Sequence, residues 1–325
     1  MTKLGYIMAA SHSGSTLLAM LLGSHPETFT VGELKLSPQP MGDIDRYRCS
    51  CGEFIRACPF WREVKAEMAR RGFDFDVGNA GTDHSGVDTP YVTRLLRPLH
   101  RKRLLETARD KALGLSPTWR RRYPEIQRRN AALIATIARI TRAKVVIDSS
   151  KIALRLKYLL RIPELDVKVI RLIRDGRAVA LTYVDPASFA DARDASLRGG
   201  GMGGDRENER LAMAQAAHRW RRCNEEAENV LARLGSSQWV DVRYEDLCTG
   251  LDSNLSRLFA FFGLDPSRRT RDFRSAGHHV VGNGMRLDSS PEICLDERWR
   301  SVLGRDELAL FDAVAGETNR RYGYE

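Results

Sequence analysis

The sequence predicts an α/β protein with a mostly parallel central sheet flanked by helices, opened by a P-loop-like strand–loop–helix. Three observations carry that reading. First, Leu4 to Ala10 is a short apolar run, Ser11-His12-Ser13-Gly14 is a small polar turn, and Ser15 to Leu22 has helical composition. Second, the apolar runs Lys144 to Asp148 and Val167 to Ile173 are each followed by a helical stretch. Third, a fourth strand, Trp239 to Arg243, precedes the helix-like segment Leu251 to Phe262. Strands that alternate with helices require crossovers, and crossovers cover both faces of a parallel sheet. Asn208 to Leu234 and Glu307 to Arg320 read as amphipathic helices on the periphery. Gly72 to Pro90 and the Gly-rich Arg198 to Arg206 read as mobile loops.

The 325 residues are 42% hydrophobic and 29% charged, which excludes disordered, collagen-like and coiled-coil classes. Lys and Arg number 52 against 42 acidic residues, and the resulting +10 calls for an anionic partner. Lys3 and the apolar residues after it imitate a signal peptide, but Ser11 to Thr16 break the run before Leu17 resumes it. No later stretch is long and apolar enough to span a bilayer, so the expectation is a cytoplasmic protein.

The first turn is the strongest chemical signal. A strand, a Gly/Ser turn and a helix start leave backbone N–H groups unpaired at the positive end of a dipole, with hydroxyls from Ser13, Ser15 and Thr16 beside them. That is a site for phosphate. The Lys that precedes Ser/Thr in a nucleoside-triphosphatase loop is missing, which disfavours that class. The plainer alternative is that these residues only turn the chain and cap the helix.

The stretch His12-Ser13-Gly14-Ser15-Thr16-Leu17-Leu18, followed by His25-Pro26 and Val31-Gly32-Glu33, resembles the sulfotransferase family. So does Val169-Ile170-Arg171-Leu172-Ile173-Arg174-Asp175-Gly176-Arg177-Ala178 with Thr182 after it. The form is closest to the bacterial and Golgi tyrosylprotein branches, which implies a bacterial protein here. The resemblance implies 3′-phosphoadenosine 5′-phosphosulfate as co-substrate, adenosine 3′,5′-bisphosphate as product, and no metal in the transfer. It implies a hydroxyl-bearing acceptor, whether small molecule, glycan, lipid or peptide. It places the donor's 5′-phosphosulfate on His12, Ser13, Gly14, Ser15, Thr16 and Leu17, and its 3′-phosphate on Arg174 and Thr182. Residues 1–325 then form a single domain with acceptor-side insertions at about 35–142 and 185–210.

Relatives carry Lys or Arg at the position of His12, as a fixed charge on the sulfonate. An imidazole's charge varies near neutral pH, so the donor site here is expected to be pH-sensitive. Glu33, in the Gly-Glu pair, is the expected general base for the acceptor hydroxyl. Lys151 follows the strand Val145-Val146-Ile147, at the end of a parallel strand where ligands collect, and is expected to touch the sulfonate. Asp148 and its serines are either supports for the site or a helix cap. Tyr244, in Arg243-Tyr244-Glu245-Asp246-Leu247, is assigned to the adenine or to helix packing. Arg286, in Gly282-Asn283-Gly284-Met285-Arg286, is assigned to a phosphate or to a plain turn.

Two features stand outside that scheme. Cys49-Ser50-Cys51-Gly52 and Cys58-Pro59-Phe60-Trp61 bring three thiols together, in a pattern similar to one in bacterial sulfotransferases. A zinc site would need a fourth ligand, and the nearest His residues in sequence are His25 and His84. The cluster therefore reads as a structural loop, with a disulfide or a metal as the alternatives. Arg101-Lys102-Arg103, Arg120-Arg121-Arg122 and Arg128-Arg129 read as a solvated basic face, or as a peripheral membrane contact. Nucleic acid is not expected, because no recognised module accompanies the charge. The competing functions are a small-molecule kinase using the same loop and a non-catalytic nucleotide-binding scaffold.

Overall fold

The structure is a computed structural model that describes residues 1–35, 41–85, 89–97, 103–189, 210–288 and 292–325. Five parallel strands make the sheet, in the order β2-β3-β1-β4-β5. They are β1 (Thr2–Ala9), β2 (Thr28–Thr30), β3 (Val145–Lys151), β4 (Leu165–Ile173) and β5 (Trp239–Arg243). All four strands expected from the sequence are present. The fifth, β2, has three residues, too few to show a period.

Between β1 and β2 runs α1 (Ser15–Leu22); between β2 and β3 come α2 (Met41–Arg46), α3 (Pro59–Arg70), α4 (Pro90–Leu96), α5 (Arg103–Leu115) and α6 (Pro117–Thr141). Helix α7 (Ala153–Leu159) follows β3, and α8 (Gly176–Val184) and α9 (Met213–Leu231) follow β4. After β5 come α10 (Tyr244–Thr249), α11 (Leu251–Phe262), α12 (Trp299–Val302), α13 (Arg305–Phe311) and α14 (Glu317–Arg321).

Alternation along β1 shows why its sequence is a continuous apolar run. Leu4, Tyr6 and Met8 pack on one face with α3, α6 and α7, while Ile7 and Ala9 pack on the other with α1 and α11. Burial on both faces leaves no position for a polar residue. Helix α1 obeys the same rule, since all eight of its residues are buried. A third cluster joins α8 and α9 to α12 and α13 around Trp220.

Three expectations are corrected. The segment from Glu307 to Arg320 is not one α-helix: a π-helical turn at Asp312–Gly316 separates α13 from α14. There the Asp312 side chain lies against Gly316 and accepts a hydrogen bond from Arg320 at 2.5 Å, an arrangement any Cβ at 316 would obstruct. The described part of Gly72 to Pro90 is packed rather than a loose surface loop, because Phe75, Val77, Ala80, Thr82 and His84 are buried. The third correction concerns Asn208 to Leu234, where the helix is Met213–Leu231. Arg198 to Arg206, Arg101 and Lys102 lie outside the described residues. Arg120, Arg121, Arg122 and Arg128 are exposed on α6. Among the described residues no helix is long and apolar enough to cross a membrane.

Trp61 is buried against Phe60 and Phe75, and its indole N–H has no hydrogen-bond partner among the described residues. Trp61→Ala should therefore cost about 3–5 kcal/mol in urea unfolding. Trp61→Phe should cost far less, because it removes no hydrogen bond. Equal losses in the two variants would contradict this packing.

Candidate functional site

The carboxyl ends of β1, β3, β4 and β5 open into a cleft of about 1080 Å³. Open parallel sheets bind ligands at this edge, where loops diverge and helix N-termini converge. Ser11, His12, Gly14, Ser15, Thr16 and Leu17 line it from the first turn, and Glu33, Lys151, Arg174, Thr182 and Tyr244 line it from later segments. Residues more than 200 positions apart in the chain thus share one cavity.

The turn after β1 has unusual backbone. His12 has φ of 65° and Gly14 of 86°, so the chain doubles back before α1. Gly14 is the N-cap residue of α1, and no side chain caps the helix. The capping role considered for the serines is therefore not what they do. The α1 amides remain available to an anion. Ser13 is 1% exposed, and its hydroxyl has no partner among the described residues. Tyr244 covers the turn: a Cβ on Gly14 would come within 2.6 Å of its ring.

Glu33 and Lys151 form an ion pair across the cleft floor. Each is held by its backbone. Glu33 N–H donates to the Val281 carbonyl at 2.9 Å, and Val281 N–H donates to the Val31 carbonyl at 2.9 Å. Gly32 makes this possible, with φ of 74° and a Cβ position that would lie 1.8 Å from the Val281 oxygen. Lys151 also has positive φ, 69°. Beneath them Asp148 is 0% exposed and accepts from Arg155 Nε and Nη2, both at 3.1 Å. Its other oxygen accepts from the N–H groups of Leu34 at 3.2 Å and Ser150 at 2.9 Å. Thr82 completes the network, donating its hydroxyl to the carbonyls of Leu34 and Lys35, both at 2.9 Å, and accepting at its own carbonyl from Arg155. Asp148 and Ser150 thus support the Glu33 segment; neither caps α7, whose N-cap is Ile152.

Beside the first turn Arg174 is 6% exposed. Its Nη1 donates to the His12 carbonyl at 2.9 Å, its Nη2 donates to Asp296 Oδ2 at 3.0 Å, and its plane lies 4.4 Å from the Tyr244 ring centre. Its Nε has no partner among the described residues. The turn that carries it is fixed from the chain's last helix: Asn319 Oδ1 accepts from Gly176 N–H at 2.9 Å. Glu245 accepts from Asp175 N–H at 3.0 Å and from the Tyr324 hydroxyl at 2.6 Å. Arg177 turns away to Asp175 and stacks 4.0 Å over Trp299.

Two expected residues sit differently. Ser13 lies behind the cleft wall with its hydroxyl buried, and Arg286 is outside the lining altogether. Arg286 donates to the carbonyls of Gly282 at 2.7 Å and Arg48 at 2.5 Å and stacks on Tyr47. It braces the late loop, whose Gly282 is close enough to Thr16 that a Cβ there would approach to 3.3 Å. Thr182 lines the cleft while its hydroxyl donates to the Val179 carbonyl at 2.8 Å. Of the two acceptor-side insertions, the first does not reach the cleft through the described part of Gly72 to Pro90, whereas Ser188 and Phe189, at the start of the insertion at about 185–210, line it. Tyr183, Arg219, Arg274, Asp296 and Arg298 also line it and were not legible, since each is an ordinary polar or aromatic residue in a helix or loop.

Burial opposes the charge of Asp296, but hydrogen bonds from Arg298 and the charge of Arg174 outweigh it and hold the carboxyl at about 2. A depressed folded value stabilises the protein above the unfolded value of about 3.9 and is lost as pH falls through the folded one. The melting temperature of the native protein should therefore exceed that of Asp296→Asn at pH 5, and the gap should close between about pH 4 and 2. A gap unchanged with pH would contradict this pairing. Asp148→Asn, which leaves Arg155 buried without its counter-charge, should cost about 3–5 kcal/mol in urea unfolding. A loss under 1 kcal/mol would show that this pair does not hold the site.

The model of the sulfotransferase family matches residues 6–268. Carbohydrate sulfotransferase 2 of Mus musculus and of Homo sapiens are each 25% identical over 375 aligned residues, covering 99% of this chain and 65% of theirs. The chain thus spans somewhat less than two thirds of the length of these curated relatives. The sulfotransferase domain from the curacin biosynthetic pathway superposes with a TM-score of 0.50 at 19% identity, covering 100% of this chain and 99% of that one. That likeness agrees with the parallel sheet and its flanking helices. With the family model extending from β1 through α11, the chain belongs to the sulfotransferase family.

Proposed function

We propose that this protein transfers a sulfonate group from 3′-phosphoadenosine 5′-phosphosulfate to an acceptor hydroxyl, with Glu33 as general base. The observation that supports it most is the single cleft in which the uncapped start of α1 meets Glu33, Lys151, Arg174 and Thr182. Free amides at a helix start and a guanidinium in the same cleft suit an anionic ligand. The chemistry such a donor supplies when bound is a sulfonate already activated as an anhydride.

The chain's own residues account for the rest. The α1 amides, with the Ser15 and Thr16 hydroxyls that line the cleft, hold the 5′ end. Arg174 offers a planar fork to the 3′-phosphate, exchanging the Asp296 carboxylate for a phosphate oxygen. Tyr244 packs over both Gly14 and Arg174 and offers its ring to the donor's adenine. Glu33 accepts the acceptor's hydroxyl proton as its oxygen becomes the nucleophile. Lys151, already beside Glu33, places its ammonium where charge develops on the transferring group. His12 adds a ring held edge-on against Tyr183 at 4.8 Å between centres.

The proposed acceptor is a hydroxyl-bearing molecule, with a sugar hydroxyl first among the classes because the aligned relatives are named carbohydrate sulfotransferases. Incubating the protein with donor and panels of glycans, lipids and tyrosine peptides, then reading sulfonate gain by mass spectrometry, distinguishes these.

Glu33→Gln should lower turnover by roughly 10²–10⁴-fold, the usual worth of a positioned base, while calorimetry with adenosine 3′,5′-bisphosphate shows unchanged affinity. Arg174→Ala should weaken that affinity roughly 10- to 100-fold by removing charge-assisted hydrogen bonds. A native protein that binds the bisphosphate no better than AMP would reject the donor assignment, and parallel loss of binding in both variants would reject the division of roles.

A further inference from the structure

We propose that Cys49, Cys51, Cys58 and His279 hold a structural zinc ion. The sequence supplies three thiols within a ten-residue stretch, and the fold supplies the fourth ligand from 221 positions beyond Cys58. Among the described residues these side chains offer four ligand atoms that all lie within 4.8 Å of one another. His279 Nδ1 is 3.4 Å from Cys49 Sγ and 3.2 Å from Cys58 Sγ, and Cys51 Sγ is 3.6 Å from Cys58 Sγ. A tetrahedron with Zn–S of about 2.3 Å and Zn–N of about 2.0–2.1 Å has edges of roughly 3.5–3.8 Å. The three measured edges come within a few tenths of an ångström of that figure.

The surroundings preorganise this geometry. Cys49 N–H donates to the Glu53 carbonyl, and Gly52 N–H donates to the Cys49 carbonyl, both at 2.9 Å, folding the first two thiols toward each other. Ser50, which separates those two cysteines, donates its hydroxyl to the His278 carbonyl at 2.8 Å and accepts from Val280 N–H at 2.9 Å. One side chain thus clamps the backbone on both sides of His279. The imidazole is stacked on Phe60 at 4.6 Å between centres and 10° between planes, which sets the direction in which Nδ1 points. Such outer support is what orients ligands in metal sites.

The competing arrangement is a Cys51–Cys58 disulfide. It would need the two sulfurs at about 2.05 Å rather than 3.6 Å, and it would leave Cys49 and an aimed imidazole without a role. Three thiolates and one imidazole select zinc among the common divalent ions, and four protein ligands leave no open position for substrate. The ion is therefore a staple. It would join the Cys49 to Cys58 loop to the strand-like segment whose Val281 pairs with Gly32 and whose Gly282 abuts Thr16. The site is distinct from the cleft, and its reading does not depend on which donor the cleft takes.

The test is elemental analysis of the tag-free full chain, purified without chelator. One zinc per chain is expected. Cobalt exchanged into the site should give the intense visible bands of a tetrahedral thiolate complex. Cys51→Ser and His279→Ala should lose the metal and lower the melting temperature, whereas Cys223→Ser, away from the cluster, should retain both. The proposal is overturned by metal-free native protein, whether its thiols are freely alkylated or joined as a Cys51–Cys58 disulfide in the digest. It is equally overturned by bound iron, or by zinc content that Cys51→Ser and His279→Ala leave unchanged. The native measurements stand even where a variant fails to fold.

Discussion

A buried ion pair between Asp148 and Arg155 fixes the cleft floor. Both side chains are almost fully withdrawn from water, a placement that costs several kcal/mol per charge unless every lone pair and N–H is used. Here the partners flank both cleft residues: Leu34, next to Glu33, and Ser150, next to Lys151, bond the carboxylate, and Thr82 ties the guanidinium to the carbonyls of Leu34 and Lys35. The pair sits at the carboxyl end of β3 and in α7, so the central strands set its position directly. A hydrogen-bonded network of this sort rigidifies what it touches. Glu33 and Lys151 therefore meet because the sheet beneath them is wired to both.

Strain is concentrated at the same place. Among the described residues, His12, Arg142 and Lys151 are the non-glycine positions with positive φ, and two of them line the cleft. Each such residue costs on the order of 1–3 kcal/mol and persists only where neighbours over-determine it. Around His12 they do so through the Arg174 bond to its carbonyl. Around Lys151 they do so through Ser150, bonded to Asp148, and through Ile152, whose carbonyl accepts the Tyr6 hydroxyl at 2.8 Å. The backbone aims both side chains into the cavity before any ligand arrives.

How much of this was legible in the sequence follows from the range of each signal. Strands β1, β3 and β4 were legible because burial on both faces concentrates apolar residues in them, and the half-buried edge strand β5 because of its Trp and Val content. The turn after β1, the Gly-Glu pair and the Arg174 turn were legible as short contiguous motifs. Strand β2 was not, since three residues carry no period. The packed character of Phe75 to His84 was hidden by its Gly and Asp content, which reads as loop while its alternate side chains are buried. His279 could not be joined to the cysteines, because nothing local marks a ligand more than 200 residues from its partners. Arg286, in a glycine-rich neighbourhood, donates to the carbonyls of Gly282 and Arg48, contacts between distant segments that no local motif marks.

The bracing of the Arg174 turn by Asn319 and Tyr324 bears on how the protein matures. A chain leaving the ribosome has β1, α1 and β4 early, yet the bond from Gly176 to Asn319 spans 143 positions and waits for α14. Such long-range closure is slow and comes late in folding. A newly made chain would accordingly form the turn after β1 before it can lock the Arg174 side of the same cleft.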